Sequence, residues 1–148
     1  MIDVVCDSSV VIGWFGERDP DAESLLAAAM DQRCRLVVLD LTLYEVGNVL
    51  IRRYHQRAEA TALILKGVAT VADVVRPDWI VLLDAARIAA EDNLTLYDAA
   101  HAAQARDLGA TLATEDSAIV DARLGLRPST VVELLAAERH GQRTPDGA

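Results

Sequence analysis

The chain has 148 residues, 52% of them apolar and 4% aromatic, with 23 acidic against 14 basic side chains and a net charge of −9. That length suits one domain around one hydrophobic core, and the apolar content excludes intrinsic disorder. The acidic balance argues against a binder of long duplex DNA, which calls for a basic surface, but leaves a small RNA site open if several acids hold divalent ions.

Ile2–Cys6 is a short apolar run and reads as a first strand, with one or two helical turns over Val10–Phe15 ended by Gly16. Asp19-Pro20-Asp21 opens a helix with its body at Ala22–Asp31, proline being favoured in the first turn. Leu36–Leu39 is a second buried strand, followed by a helix over Leu43–Gln56 with Leu43, Val46, Val49 and Leu50 at helical spacing. A helix at Glu59–Val71 precedes a short edge strand, Val74–Arg76, stopped by Pro77, and then a helix over Trp79–Glu91. Asp98–Leu108 is a helix closed by Gly109, and Thr111–Ala113 is a strand. Ser117–Leu124 is a short helix closed by Gly125, and Thr130–Val132 a last strand leading into a helix over Glu133–Glu138. These patterns predict one domain over residues 1–138 and a polar, frayed tail over 139–148. The expected fold class is α/β: a three-layer α/β/α sandwich with a central, mostly parallel sheet of four to five strands.

The cysteines fit no motif: Cys6 lies in an apolar run and Cys34 follows a helical stretch, so neither predicts a disulfide or a zinc site. No apolar stretch reaches the roughly 18 residues of a membrane span. The start, Met1-Ile2-Asp3, lacks the basic segment of a secretory leader, and a cytoplasmic protein is expected. Basic side chains cluster twice, as Arg33 with Arg35 and as Arg52, Arg53 and Arg57; the second group also suits a helix C-terminus.

Four acids follow apolar runs where strands hand over to helices: Asp7, Glu45, Asp98 and Asp116. In open α/β sheets, ligands bind outside the carboxyl ends of the strands. Four carboxylates converging there make a pocket that a divalent cation must neutralise. Each acid also has a local reading. Thr42-Leu43-Tyr44-Glu45 fits a capping box, Thr95-Leu96-Tyr97-Asp98 has the same shape, and Asp7 can cap through the Ser8-Ser9 that follows. Thr114 can cap the next helix and leave Glu115 and Asp116 as favourable first-turn charge. Capping and ligation do not exclude one another, since a helix starting where a strand ends presents its acids to the same rim. Asp40 reads as a turn solvator ahead of the Thr42 cap.

Supporting candidates are Asn48 and His101, one helical turn beyond Glu45 and Asp98, and the hydroxyls of Ser8, Ser9 and Thr114. Hard oxygen donors suit Mg²⁺, with Mn²⁺ as substitute, and no His/Cys cluster suits zinc. Crowded carboxylates raise one another's pKa, so metal binding is expected to release protons and weaken in acid.

Four pieces in order carry a resemblance. They are Val4-Val5-Cys6-Asp7-Ser8-Ser9-Val10-Val11-Ile12; Leu43-Tyr44-Glu45-Val46-Gly47-Asn48-Val49-Leu50; Leu94-Thr95-Leu96-Tyr97-Asp98-Ala99-Ala100-His101-Ala102-Ala103; and Leu108-Gly109-Ala110-Thr111-Leu112-Ala113-Thr114-Glu115-Asp116. Over nearly its whole length the chain resembles a PIN-domain ribonuclease of the VapC type, the toxin of VapBC toxin–antitoxin pairs. The resemblance implies a Mg²⁺- or Mn²⁺-dependent endoribonuclease with Asp7, Glu45, Asp98 and Asp116 as catalytic, metal-holding acids. It also implies homodimerisation and a cognate VapB-type antitoxin that reaches the carboxylates with a basic residue. The adjacent Glu115 leaves two acids competing for the fourth position. A catalytically idle PIN-like RNA- or protein-binding module is the alternative. A phosphoacceptor domain fits less well, because it wants a lysine at a late strand end and Lys66 sits mid-helix.

Overall fold

A computed structural model describes residues 1–141. Strand β1 (Ile2–Cys6) leads into α1 (Ser8–Ile12) and α2 (Pro20–Met30); β2 (Cys34–Leu39) is followed by α3 (Asp40–Arg52) and α4 (Ala58–Val71). Strand β3 (Asp73–Val75) precedes α5 (Trp79–Asp92) and α6 (Leu96–Leu108), and β4 (Thr111–Ala113) precedes α7 (Ser117–Asp121) and α8 (Pro128–Gly141). The four strands pair in the order β3-β2-β1-β4, and every pairing is parallel.

Alternation along the strands divides the core into two layers. Val4, Cys6, Leu36 and Val38 pack on one side with Leu25 of α2 and Val46 of α3. Val5, Val37, Leu39 and Leu112 pack on the other with Ile88 of α5 and Ile119 of α7. Because both faces are covered, the strands are apolar throughout rather than alternating with polar residues. Helix α6 is buried without interruption from Ala99 to Ala105, and its alanines let α5 and the sheet approach closely.

The termini of several helices follow the local chemistry. Asp19 caps α2 by accepting from the amides of Asp21 and Ala22, with Pro20 in the first turn. Gly109 closes α6 at φ 62°, in the left-handed region that glycine enters without strain. Two expectations need correction. Thr130–Val132 is not a strand but part of α8: Pro128 starts a helix, and Val131 and Leu135, one turn apart, bury together. Beyond β4 the described residues form only a bridge between Ala113 and Leu126, so the sheet has four strands, within the expected four to five. Helix α8 also runs through Arg139–Gly141, where a frayed tail was expected; the rest of that tail lies outside the described residues.

Gly125 does not close α7, since the left-handed residue there is Arg123, at φ 59°. It is needed for close approach instead. A Cβ at Gly125 would meet Thr114 Cγ2 at 3.0 Å and the Leu112 carbonyl oxygen at 3.1 Å. Gly125→Ala is therefore expected to lower stability by about 1–3 kcal/mol, read from urea unfolding, through displacement of the segment that carries Thr114.

Candidate metal centre

The chain winds outward from β1 to β2 and β3, then returns to place β4 on the other side of β1. The sheet's switch point thus lies between β1 and β4, where open parallel sheets form a crevice beyond the strand ends. Asp7 follows β1 immediately and is buried, with 6% of its surface exposed. It caps α1, its Oδ1 accepting from the Val10 amide at 3.3 Å. Ser9 Oγ donates to Oδ1 at 2.5 Å, and Thr114 Oγ1, just past β4, donates to Oδ2 at 2.5 Å. Ser9 and Thr114 thus hold Asp7; Ser8 is the first residue of α1. Burial pushes the Asp7 carboxyl up, and the Ser9 and Thr114 hydrogen bonds, the nearby His101 and the Val10 amide pull against that rise.

Helix α3 brings in Glu45. It starts at Asp40 directly from β2, three residues before the predicted start, so Thr42 lies inside the first turns and cannot cap. Asp40 instead accepts from the Leu41 amide at 2.8 Å. Thr42 is fully buried, with its Oγ1 2.8 Å from His101 Nε2. The His101 Nδ1 lies 2.8 Å from the Tyr97 carbonyl, which only accepts. Nδ1 therefore carries hydrogen, and in the neutral ring Nε2 accepts the Thr42 hydroxyl. Glu45 Oε1 is 3.9 Å from Nε2, beyond hydrogen-bond range, and is buried without a partner. Burial raises the Glu45 carboxyl, a charged His101 would lower it, and Asp7 and Asp98 raise it further.

Asp98 reaches the same place from α6. Thr95 caps that helix as predicted, its hydroxyl accepting from the Asp98 amide at 3.1 Å, and Asp98 is half-buried in the first turn. Glu45 thus lies within charge range of Asp7, Asp98 and His101. Asp116 joins differently: its carboxylate caps α7 by accepting from the Ala118 amide at 2.8 Å, while its own amide donates to Thr114 Oγ1 at 3.0 Å. Glu115 is drawn away from Asp7 by Arg127, whose Nη1 lies 3.1 Å from its Oε2. Burial and the neighbouring Asp19 raise the Glu115 carboxyl, while Arg127 lowers it. Asn48 is exposed and lines a groove of about 520 Å³ between α3 and α4 with Tyr44, Ile51 and Leu65. Neither Asn48 nor Ser8 makes a side-chain hydrogen bond to the acids, whereas Ser9 and Thr114 bond Asp7.

Reading from sequence missed the Thr42–His101 contact, which spans 59 residues, and Arg127, which acts across 12. Neither has a local spacing signal; each becomes visible only when α3, α6 and α8 are in place.

The donor set suits a hard divalent cation. Its oxygens are carboxylate, two of the carboxyls are raised by burial, and Glu45 Oε1 has no partner. Among the described residues, no three such side chains are yet drawn together at ligand spacing. Of the four acids, Glu45 is the one within charge range of two others, Asp7 and Asp98.

The PIN domain family matches residues 4–123. Among solved structures, PAE2754 from Pyrobaculum aerophilum superposes with a TM-score of 0.68 at 27% identity, over 92% of this chain and 96% of that one. A toxin–antitoxin complex from Klebsiella pneumoniae gives 0.66 at 20% identity, over 84% and 97%. Mycobacterium tuberculosis VapC20, a toxin that cleaves the sarcin–ricin loop, gives 0.64 at 17% identity, over 80% and 94%. No curated protein matches the chain by sequence.

Because the folded state raises the Asp7 pKa, ionising Asp7 costs stability. That cost is absent below the unfolded value near 4, grows as pH rises through it, and is complete above the folded value. Asp7→Asn is expected to stabilise the metal-free protein at pH 7, with the gain shrinking on acidification. Thermal melts from pH 4 to 8 in chelator check this; a gain independent of pH would contradict it.

Proposed function

Since the chain belongs to the PIN domain family, we propose that it is a Mg²⁺- or Mn²⁺-dependent endoribonuclease, the toxin of a type II toxin–antitoxin pair. The observation that carries this reading is Glu45, its Oε1 buried and unpaired, within charge range of both Asp7 and Asp98. The toxin role draws support from the fold shared with the Klebsiella pneumoniae complex and VapC20.

Asp7, Glu45 and Asp98 would hold the ion, with Asp116 at the rim of the same crevice. A divalent ion bound there supplies Lewis-acid polarisation of the phosphodiester and activation of water. The residues of the chain prepare the place for it. Ser9 and Thr114 turn their protons onto Asp7, so that this carboxylate stays an acceptor. With Nδ1 held on the Tyr97 carbonyl, the His101 ring is fixed in orientation beside Glu45. Burial of Asp7 and Glu45 lowers the local dielectric response, which strengthens their pull on a cation.

Several arginines of the two clusters are matched by acids. Arg35 pairs with Asp3 and Asp73, Arg33 with Asp31, and Arg53 with Glu17. An acidic pocket of this kind suits an arginine or lysine from a cognate VapB-type antitoxin, and we place the active toxin in the cytoplasm as a homodimer. No described helix is long and apolar enough to cross a membrane.

Purified protein incubated with cellular RNA is expected to cleave it with Mg²⁺ or Mn²⁺ and to stop on chelation. Asp7→Asn should lower the rate by about a hundredfold or more. Cleavage that persists in chelator, or at full rate in Asp7→Asn, would overturn the proposal.

A further inference from the structure

We propose that Arg127, outside the acidic set, is a positioning residue that prepares Asp7 for metal by pinning the turn after β4; this rests on the metal-centre reading above. Its guanidinium brackets Asp116. Nη1 donates to the Glu115 carbonyl and, at 3.1 Å, to Glu115 Oε2, and Nη2 donates to Ser117 Oγ at 2.9 Å. Two amides of that turn then complete a relay. Glu115 N donates to Ser9 Oγ at 3.0 Å, and Asp116 N donates to Thr114 Oγ1 at 3.0 Å.

A hydroxyl has one proton to give, and its lone pairs can accept. With an amide hydrogen seated on each oxygen, the protons of Ser9 and Thr114 turn to Asp7, reaching Oδ1 and Oδ2 respectively. Oδ1 also accepts from Val10 N, while Oδ2 keeps a lone pair for a cation. Both hydroxyls thus take their direction from two successive peptide units, and Arg127 grips the chain on each side of the second.

The grip opposes a repulsion. Asp19 is close enough to push the Glu115 carboxyl up, so removal of Arg127 leaves Glu115 with an acidic neighbour and no counter-ion. The turn then relaxes toward solvent, taking the amides of Glu115 and Asp116 with it. The main chain of Arg127 serves α8 separately, its carbonyl accepting from Val131 N at 3.1 Å, and a side-chain substitution leaves that bond intact.

The test measures Mn²⁺ binding to the full chain by calorimetry, with Mn²⁺ alone as probe. Arg127→Met, which keeps length and removes every donor, is expected to weaken Mn²⁺ about tenfold, the lower end for groups that orient a ligand. Arg127→Lys should recover only part, since an ammonium cannot bridge carbonyl, carboxylate and hydroxyl as a planar fork does. In a double-mutant cycle with Thr114→Val, the two losses should be less than additive, because both act through one hydroxyl. Hydrogen exchange on metal-free protein should show the Glu115 and Asp116 amides exposed about tenfold more in Arg127→Met, with β1 amides unchanged. Should Arg127→Met fold poorly by that β1 measure, Arg127→Gln replaces it.

Unchanged Mn²⁺ affinity in the variants, or fully additive losses, overturns the inference. So does weakened RNA binding with normal Mn²⁺ affinity, which would make Arg127 a phosphate contact. If the wild type takes up no Mn²⁺, the metal-centre reading falls by itself. The exchange result then decides the anchor: unaltered protection at Glu115 and Asp116 overturns it, and selective loss there sustains it.

Discussion

An ionised carboxylate cannot be taken out of water without several replacement hydrogen bonds, because desolvation alone costs several kcal/mol. Asp7 is such a group, almost wholly buried at the end of β1. Its three partners come from two places: the Ser9 hydroxyl and Val10 amide of α1, and the Thr114 hydroxyl 107 residues away. The last is available only because β4 pairs directly with β1, Val4 lying opposite Thr111 and Cys6 opposite Ala113. Strand order and the central carboxylate therefore support one another. Gly125 is part of the same arrangement, since its missing side chain leaves room for Thr114.

The wider charge distribution follows a consistent pattern. Arginines at the opposite end of the sheet are matched by acids on neighbouring strands, as Arg35 of β2 bridges Asp3 of β1 and Asp73 of β3. Among the described residues, Asp7, Glu45 and Asp98 at the carboxyl ends pair with no lysine or arginine. Each of their nearest partners is neutral or, in His101, charged only on protonation. What distinguishes these acids from the other unpaired ones is burial, since Asp7 is almost wholly enclosed and Glu45 Oε1 has no partner.

Much of this arrangement could be read from the residues in order. Strand β1 was legible to the residue, as an apolar run ending in an acid, and Thr95 was recognisable as a cap because a cap needs only local chemistry. Thr42 was misread for the same reason. Its sequence neighbours spell a capping box, but β2 runs into α3 without a break, and the helix begins two residues earlier. The segment at 130–132 shows a related limit. β-branched residues favour strands on average, yet Pro128 and the spacing of Val131 and Leu135 decide for a helix packed against the core. The position of Asp116 relative to Glu115 was not decidable from adjacency at all. What separates the two acids is Arg127, which engages Glu115 and leaves the Asp116 carboxylate to cap α7.

The surroundings of Glu45 explain why its Oε1 meets no side-chain cation among the described residues. His101 lies close enough to serve as counter-ion, but both of its nitrogens are already engaged. Nδ1 is held by the Tyr97 carbonyl within α6, and Nε2 by Thr42 of α3. The ring thereby joins the two helices that carry Asp98 and Glu45 and sets their separation, while Glu45 Oε1 remains out of reach at 3.9 Å. Had Nε2 turned to Glu45, Thr42 would lose its partner in a site with no exposed surface. A buried hydroxyl left unpaired costs about 1–3 kcal/mol, so the histidine is retained as a strut between the helices and the carboxylate oxygen stays available.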